Sequence, residues 1–168
     1  MSDPTGLLHA QTRTALDRLG VAYEVMACDP ALADTAAFVE AYGVPPERSA
    51  NTIVVASKGA EPTYVACVLL ATTSLDVNNV VRRIMEVRKA SFAGADPVRE
   101  LTGMEIGGVT PFGLSPDLPI LVDARVMEPV WIILGGGNRS SKLRVAPSVL
   151  TALPPVRLIE GLAFVRTP

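Results

Sequence analysis

Histidine is nearly absent from this 168-residue chain, occurring once, at His9. Cysteine occurs twice, at Cys28 and Cys67, with no metal-type spacing. With one imidazole and no cysteine pair, Ser-His-Asp and Cys-His nucleophilic chemistry and histidine-based zinc sites lose most of their footing. The two thiols read as small buried groups in a reducing compartment. Long apolar runs are missing as well. Those present, such as Thr52–Ala56 and Val130–Leu134, fall far short of the roughly 20 residues a membrane-spanning helix needs. The N-terminal M-S-D-P-T-G has neither the basic nor the apolar segment of an export signal, so a cytoplasmic protein is expected. Excess charge of either sign is lacking too, with a net charge of -2 and a pI near 5.4. A protein that grips nucleic acid over a large surface is thereby disfavoured, while contact with a nucleic-acid terminus stays open.

Apolar residues are plentiful, at 49% of the chain with positive mean hydropathy, which excludes disorder. The length suits one domain with a real core, expected over 1–168. Leu8, Thr12, Ala15, Leu16 and Leu19 share a helical face that Gly20 closes, and Tyr23–Cys28 alternates like a strand. Asp34 or Thr35 caps a second expected helix, which stops at Gly43. Thr52–Ala56 and Thr63–Leu70 are apolar on both faces and joined by a turn over 58–62, so they read as a hairpin of central strands. Val77, Val80, Val81 and Ile84 form the clearest helical stripe, with Asp76 as N-cap. Asp96-Pro97 predicts a short helix ending at Gly103, with Asp96 as its cap. Strands near Pro119–Val122, Val130–Leu134, Leu143–Val145 and Val156–Ile159 follow, with a helix opened by Pro147 before the last.

Two glycine loops interrupt this pattern. Glu105 to Pro116 reads E-I-G-G-V-T-P-F-G-L-S-P, and Gly135 to Ser141 reads G-G-G-N-R-S-S. Glycine accepts backbone angles closed to other residues and lets a ligand approach the main chain, so both loops are candidate pocket walls with exposed N–H groups. Tight packing turns are the alternative for each. Neither loop fits G-x-G-x-x-G or G-x-x-x-x-G-K-[ST], which disfavours nucleotide cradles of those kinds. Residue pattern alone stops at a mixed α/β domain with a glycine-lined pocket.

The succession of T-G-M-E-I-G-G-V-T-P-F-G-L (Thr102–Leu114), a strand ending in Asp123, and G-G-G-N-R (Gly135–Arg139) resembles the YbaK/prolyl-tRNA synthetase-associated editing domain family. The resemblance runs from about Leu8 to about Ile159. It implies a mixed, α+β-like fold, with a curved, mostly antiparallel sheet around a pocket and helices at its flanks. It also implies hydrolysis of the ester in mischarged aminoacyl-tRNA, typically Cys- or Ala-tRNA for proline, with no metal or cofactor. The implied partners are the tRNA 3′ end and an aminoacyl-tRNA synthetase, with no membrane. On this resemblance Asn51, Thr52, Gly107 and Gly108 hold the reacting ester. Thr110, Pro111, Phe112, Gly113, Gly135, Gly136, Gly137, Asn138 and Arg139 bind the rest of the substrate. Arg82, Arg83, Arg88, Lys89, Arg139, Lys142 and Arg144 are candidate phosphate contacts, each equally readable as a solvated edge. Asp123 reads as structural.

This chain departs from the family pattern first where the family places a lysine. The family opens its K-T-[LI]-V-V strand with lysine, and here the strand reads S-A-N-T-I-V-V-A, placing Asn51 there. A neutral amide in place of a charge-assisted contact costs on the order of 1.5–3 kcal/mol. The cysteine-specific branch of the family also has an acidic residue near the position of Lys142, and the alanine-specific branch has a histidine in that loop. Three readings follow: a divergent deacylase, a silent module that binds the tRNA end or an aminoacyl-like molecule, and a hydrolase or binder of an unrelated metabolite.

Overall fold

The computed structural model describes residues 4–154 and 156–166. Helix α1 (Ala10–Leu19) ends at Gly20, whose φ of 66° supplies the left-handed cap. Strand β1 (Glu24–Ala27) leads to α2 (Thr35–Tyr42), closed in the same way by Gly43. The expected hairpin is present as β2 (Ala50–Ser57) and β3 (Tyr64–Leu70), paired antiparallel from Ala50–Leu70 to Ala56–Tyr64. After β4 (Thr73–Leu75), the Val77–Ile84 stripe forms a helix, but its first turn, Val77–Val81, is widened to π geometry before α3 (Arg82–Met85). Asp76 caps it by accepting from the Asn79 N–H at 3.3 Å.

Strand β5 (Ala90–Phe92) precedes α4 (Ala95–Thr102). That helix starts before Asp96, with Gly94 and not Asp96 at its N-cap, because Pro97 is tolerated anywhere in a first turn whose N–H groups have no helical partner. The remaining strands are β6 (Ile120–Asp123), β7 (Ile132–Gly135), β8 (Ser141–Val145), β9 (Val156–Ile159) and β10 (Ala163–Val165). Pro147 opens a 3-10 turn, Pro147–Ala152, in place of the helix expected there.

The strands form mixed but mostly antiparallel sheets. Five strands run β5-β2-β3-β6-β9, with β3-β6 and β6-β9 parallel and the other two pairings antiparallel. Three more run β1-β8-β7, all antiparallel, and β4 pairs with β10. The mixed, mostly antiparallel architecture expected is present, spread over these pieces. A parallel bridge between Ser49 and Ile133 joins the two larger pieces at the start of β2.

Alternation along β3 explains why it reads as apolar throughout. Ala66, Val68 and Leu70 enter one core cluster with Leu16 of α1 and Leu134 and Leu143 of β7 and β8. Val65, Cys67 and Leu69 enter another, against Val81 and its neighbours Val77, Val80 and Ile84. Both faces of the central strands are covered, so successive side chains have an apolar home on each side. No helix among the described residues is long and apolar enough to cross a membrane.

Candidate functional site

Where β2 begins, beside the bridge between the sheets, the fold leaves a cavity of about 180 Å³. Its walls are Asp34 and Thr35 at the start of α2, Ala50 to Ile53 of β2, Ile106, Gly107 and Val109 of the first glycine loop, and Gly135 and Lys142 of β7 and β8. A second chamber of about 240 Å³ shares Thr52, Ile53, Ile106, Gly107 and Val109 with the first. It continues to Val54, Phe92, Ala93 and Val98 and is more apolar. The site is therefore a small polar chamber that shares a wall with a small apolar one. Phe92 and Ile106 stand exposed at its margin.

The two glycine loops build this wall by packing backbone against backbone. The Gly137 N–H donates to the Gly108 carbonyl at 2.7 Å, and a Cβ on Gly135 would fall 2.6 Å from the same oxygen. The N–H of Gly108 donates to Glu105 and that of Gly136 to Ser141, at 2.9 and 3.1 Å. The sequence suggested a row of exposed N–H groups here. The structure spends three of them, at Gly108, Gly136 and Gly137, on loop closure, because two bent segments in contact must satisfy their own buried donors. The N–H of Gly107, at φ 92°, has no acceptor among the described residues, and neither has that of Gly113.

Arg139 spans the cavity margin. It donates from Nη1 to Asp34 (3.1 Å) and to the Ile106 carbonyl (2.8 Å), and from Nε to the Pro30 carbonyl (3.0 Å). This latch holds the first glycine loop against the segment preceding α2. Asn138 is also used internally, donating to the Leu7 carbonyl and accepting from Ser140 and Ser141. Thr110 and Phe112 are fully buried, and Pro111 and Gly113 line a separate hollow with Gln11 and Arg18. Of the residues named from sequence, the structure gathers Asn51, Thr52, Gly107 and Gly135 around the cavity. Gly108, Gly136, Gly137, Asn138 and Arg139 form the layer behind or above it.

Lys142 is the largest departure from expectation. As a lysine between serine and leucine it reads as a solvated edge, yet only 6% of it is exposed. It lies on the middle strand of its sheet, opposite Gly135, and points at the first glycine loop. Its Nζ donates to the carbonyls of Ala33 (2.7 Å) and Gly107 (3.0 Å) and lies 5.1 Å from the centre of the Phe38 ring. Burial holds its ammonium below the usual lysine value, Cys28 and Asp34 pull it back up, and Arg139 opposes them. Burial also pushes the Cys28 thiol up, against the pull of Lys142.

Asp34 and Thr35 were readable only as a helix start. Asp34 makes no capping bond and turns its carboxylate to the cavity margin, and the Thr35 hydroxyl bonds the Asn51 side-chain oxygen. The Thr52 hydroxyl is buried in the shared wall and has no partner among the described residues. Among the described residues, no group of three or more His, Cys, Asp or Glu side chains is placed to hold a metal ion.

Other basic residues lie elsewhere. Arg88 and Lys89 gather with Lys58 around Ser57, at the opposite end of β2 from Asn51. Arg82 bonds the Asn78 and Val87 carbonyls. Arg144 lies over the Trp131 ring, 4.2 Å from its centre.

Residues 29–153, which include every wall of the polar chamber, match the aminoacyl-tRNA editing domain family. The chain belongs to that family. By class this makes it an aminoacyl-tRNA hydrolase. The uncharacterized protein YwhH of Bacillus subtilis (strain 168) is 28% identical over 112 residues, which is 67% of this chain and 69% of YwhH. A solved structure described as a candidate trans-editing enzyme for prolyl-tRNA synthetase superposes with a TM-score of 0.76 at 21% identity, over 95% of this chain and 97% of that one. A second, of a hypothetical protein, gives 0.79 at 21% identity, over 92% and 99%. These two share the fold of the editing domain over nearly its whole length.

Proposed function

We propose that this editing domain removes the amino acid from mischarged tRNA, with Ala- or Cys-tRNA for proline as its substrates and a prolyl-tRNA synthetase as the enzyme whose errors it corrects. The observation that carries this reading is the size and polarity of the paired chambers. At about 180 and 240 Å³, each is smaller than the roughly 300 Å³ at which pockets for larger ligands begin. An aminoacyl group with a small side chain fits, while the terminal nucleoside stays outside, over the exposed Phe92 and Ile106.

The chemistry asks little of the protein, because an aminoacyl ester is already activated. Water adds to the ester carbonyl carbon, the bond to the ribose oxygen breaks, and that oxygen leaves with a proton. Free amino acid and tRNA with a free terminal hydroxyl are released. The wall supplies donors for the oxygen that gains charge: the Gly107 N–H, the Thr52 hydroxyl and the Asn51 amide. Asp34 at the margin is suited to the substrate's α-ammonium group, and the tRNA's own neighbouring hydroxyl or an ordered water takes the proton. The apolar chamber takes the side chain and limits its size.

The test is release of labelled amino acid from a panel of aminoacyl-tRNAs by the purified protein. Faster loss of Ala or Cys from tRNA for proline than of proline itself is the expected result. Binding of an amide-linked aminoacyl-adenosine without turnover of any ester would instead identify a silent binding module.

A further inference from the structure

The polar chamber is rich in donors and poor in anions. Lys142 is its one buried cation, and no carboxylate comes within ion-pair distance of it among the described residues. The exposed Asp34 pairs with Arg139 at 3.1 Å and makes no ion pair with Lys142. An ammonium group carries three N–H donors, and the protein takes two of them, at Ala33 and Gly107. A bridge between two neutral carbonyls does not require a charge. A buried charge without a counter-ion costs stability that an uncharged donor would not. Lys142 nevertheless lines the cavity together with Asn51, from a strand of the adjoining sheet.

We propose that Lys142 is the substrate-binding cation of this site, its third N–H taking the carbonyl oxygen of the aminoacyl ester. It would thereby supply, from across the cavity, the positive charge that Asn51 does not carry. This inference rests on the deacylase reading and extends it. The loop that carries Gly107 is held by the same ammonium, so the Gly107 N–H and the Lys142 N–H converge on one oxygen as a single unit. Charge grows on that oxygen as water adds, so the contact strengthens toward the transition state and acts on kcat more than on KM.

The test uses Lys142→Met, Asn51→Lys and the double variant, with ester hydrolysis as readout. Lys142→Met is expected to lose about tenfold to a hundredfold in kcat, the range of one charge-assisted hydrogen bond. The double variant regains most of it, since the Asn51→Lys change returns an ammonium to the same chamber. Asn51→Lys alone falls below wild type, because it gives up the Asn51 donor and sets two ammonium groups against one oxygen. Hydrolysis by Lys142→Met at the wild-type rate, or a loss that Asn51→Lys leaves unrepaired, overturns the proposal.

A second measurement needs no variant. The chain holds only three lysines, Lys58, Lys89 and Lys142, so their side-chain carbon signals separate by NMR. The amide-linked analogue 3′-alanylamino-3′-deoxyadenosine should shift the Lys142 signal and raise its titration point. A bound analogue that leaves Lys142 unmoved overturns the proposal while the deacylase reading stands. A wild-type protein that neither hydrolyses any ester nor binds the analogue removes both.

Discussion

The Gly137 N–H donates to the carbonyl of Gly108 at 2.7 Å, so the two glycine loops meet main chain to main chain. A Cβ on Gly108 would overlap the Asn138 carbonyl and lie 2.9 Å from the Asn138 Cα, and backbone cannot swing aside as a side-chain tip can. Gly108→Ala is therefore expected to cost about 1–3 kcal/mol by overpacking. Gly20→Ala is the control: φ is 66° but nothing lies within 4 Å of the added carbon, so only the left-handed strain of about 1–2 kcal/mol remains. Thermal melts should place both below wild type. Only Gly108→Ala should also lose ester hydrolysis, because it alone moves the cavity wall. Full activity in Gly108→Ala would mean that the loops tolerate separation.

Asp123 ties the end of β6 to β10. Its two oxygens accept from the Arg125 N–H at 2.8 Å and the Ala163 N–H at 2.6 Å, and only 1% of the residue is exposed. Asp123→Asn leaves one acceptor and turns an NH₂ toward a backbone N–H. A loss of about 1.5–3 kcal/mol is expected in urea unfolding, the value of hydrogen bonds to a buried charged group. The folded fraction should hydrolyse ester normally, which separates this carboxylate from the site despite its place in the family pattern.

The fold was legible wherever short-range pattern and neighbours agree. The Val77–Ile84 stripe, the two glycine helix stops and the β2–β3 hairpin all follow from spacing within one segment. The strands that escaped notice, β4, β5 and β10, are three residues long. Two of them pair only with each other, Leu75 with Ala163, across a long stretch of intervening chain that no local pattern spans. The site divides in the same way. Gly107 announces itself by its residue type, while Lys142 looks like any strand-edge lysine until β1, β7 and Phe38 close around it. Arg139 was visible as a charge, but its three acceptors come from two other segments.

The two thiols should react differently. Cys67 points into the core beneath the Val77–Ile84 helix, and burial pushes its thiol up to about 12. Cys28 lies beside Lys142, where burial raises the thiol and the ammonium partly offsets it. Reactivity follows the thiolate fraction and access. Iodoacetamide at neutral pH should thus leave Cys67 unmodified until denaturant is added and label Cys28 slowly, as read by mass spectrometry. Amide-linked aminoacyl-adenosine should slow Cys28 further. Rapid labelling of Cys67 in the native protein would show that its helix cover opens readily.

The buried ammonium of Lys142 should impose opposite pH trends on stability and on turnover. Burial holds it below the ordinary 10.5. Between its folded-state value and 10.5 the unfolded chain binds a proton that the folded chain does not, so stability rises with pH across that window. Below the window both states are protonated and the full cost of burying the charge is present; above 10.5 both are neutral and the cost is gone. Turnover runs the other way, because the cation that meets the ester oxygen is lost as pH rises through the folded-state value. Other lysines and tyrosines titrate there too, so the informative quantity is the difference between wild type and Lys142→Met. Urea unfolding should show that difference shift in favour of wild type as pH approaches 10.5. Enzyme-catalysed hydrolysis above the alkaline background should show the wild-type advantage shrinking over the same range. Parallel trends in the two measurements would mean that the ammonium serves the fold and not the ester.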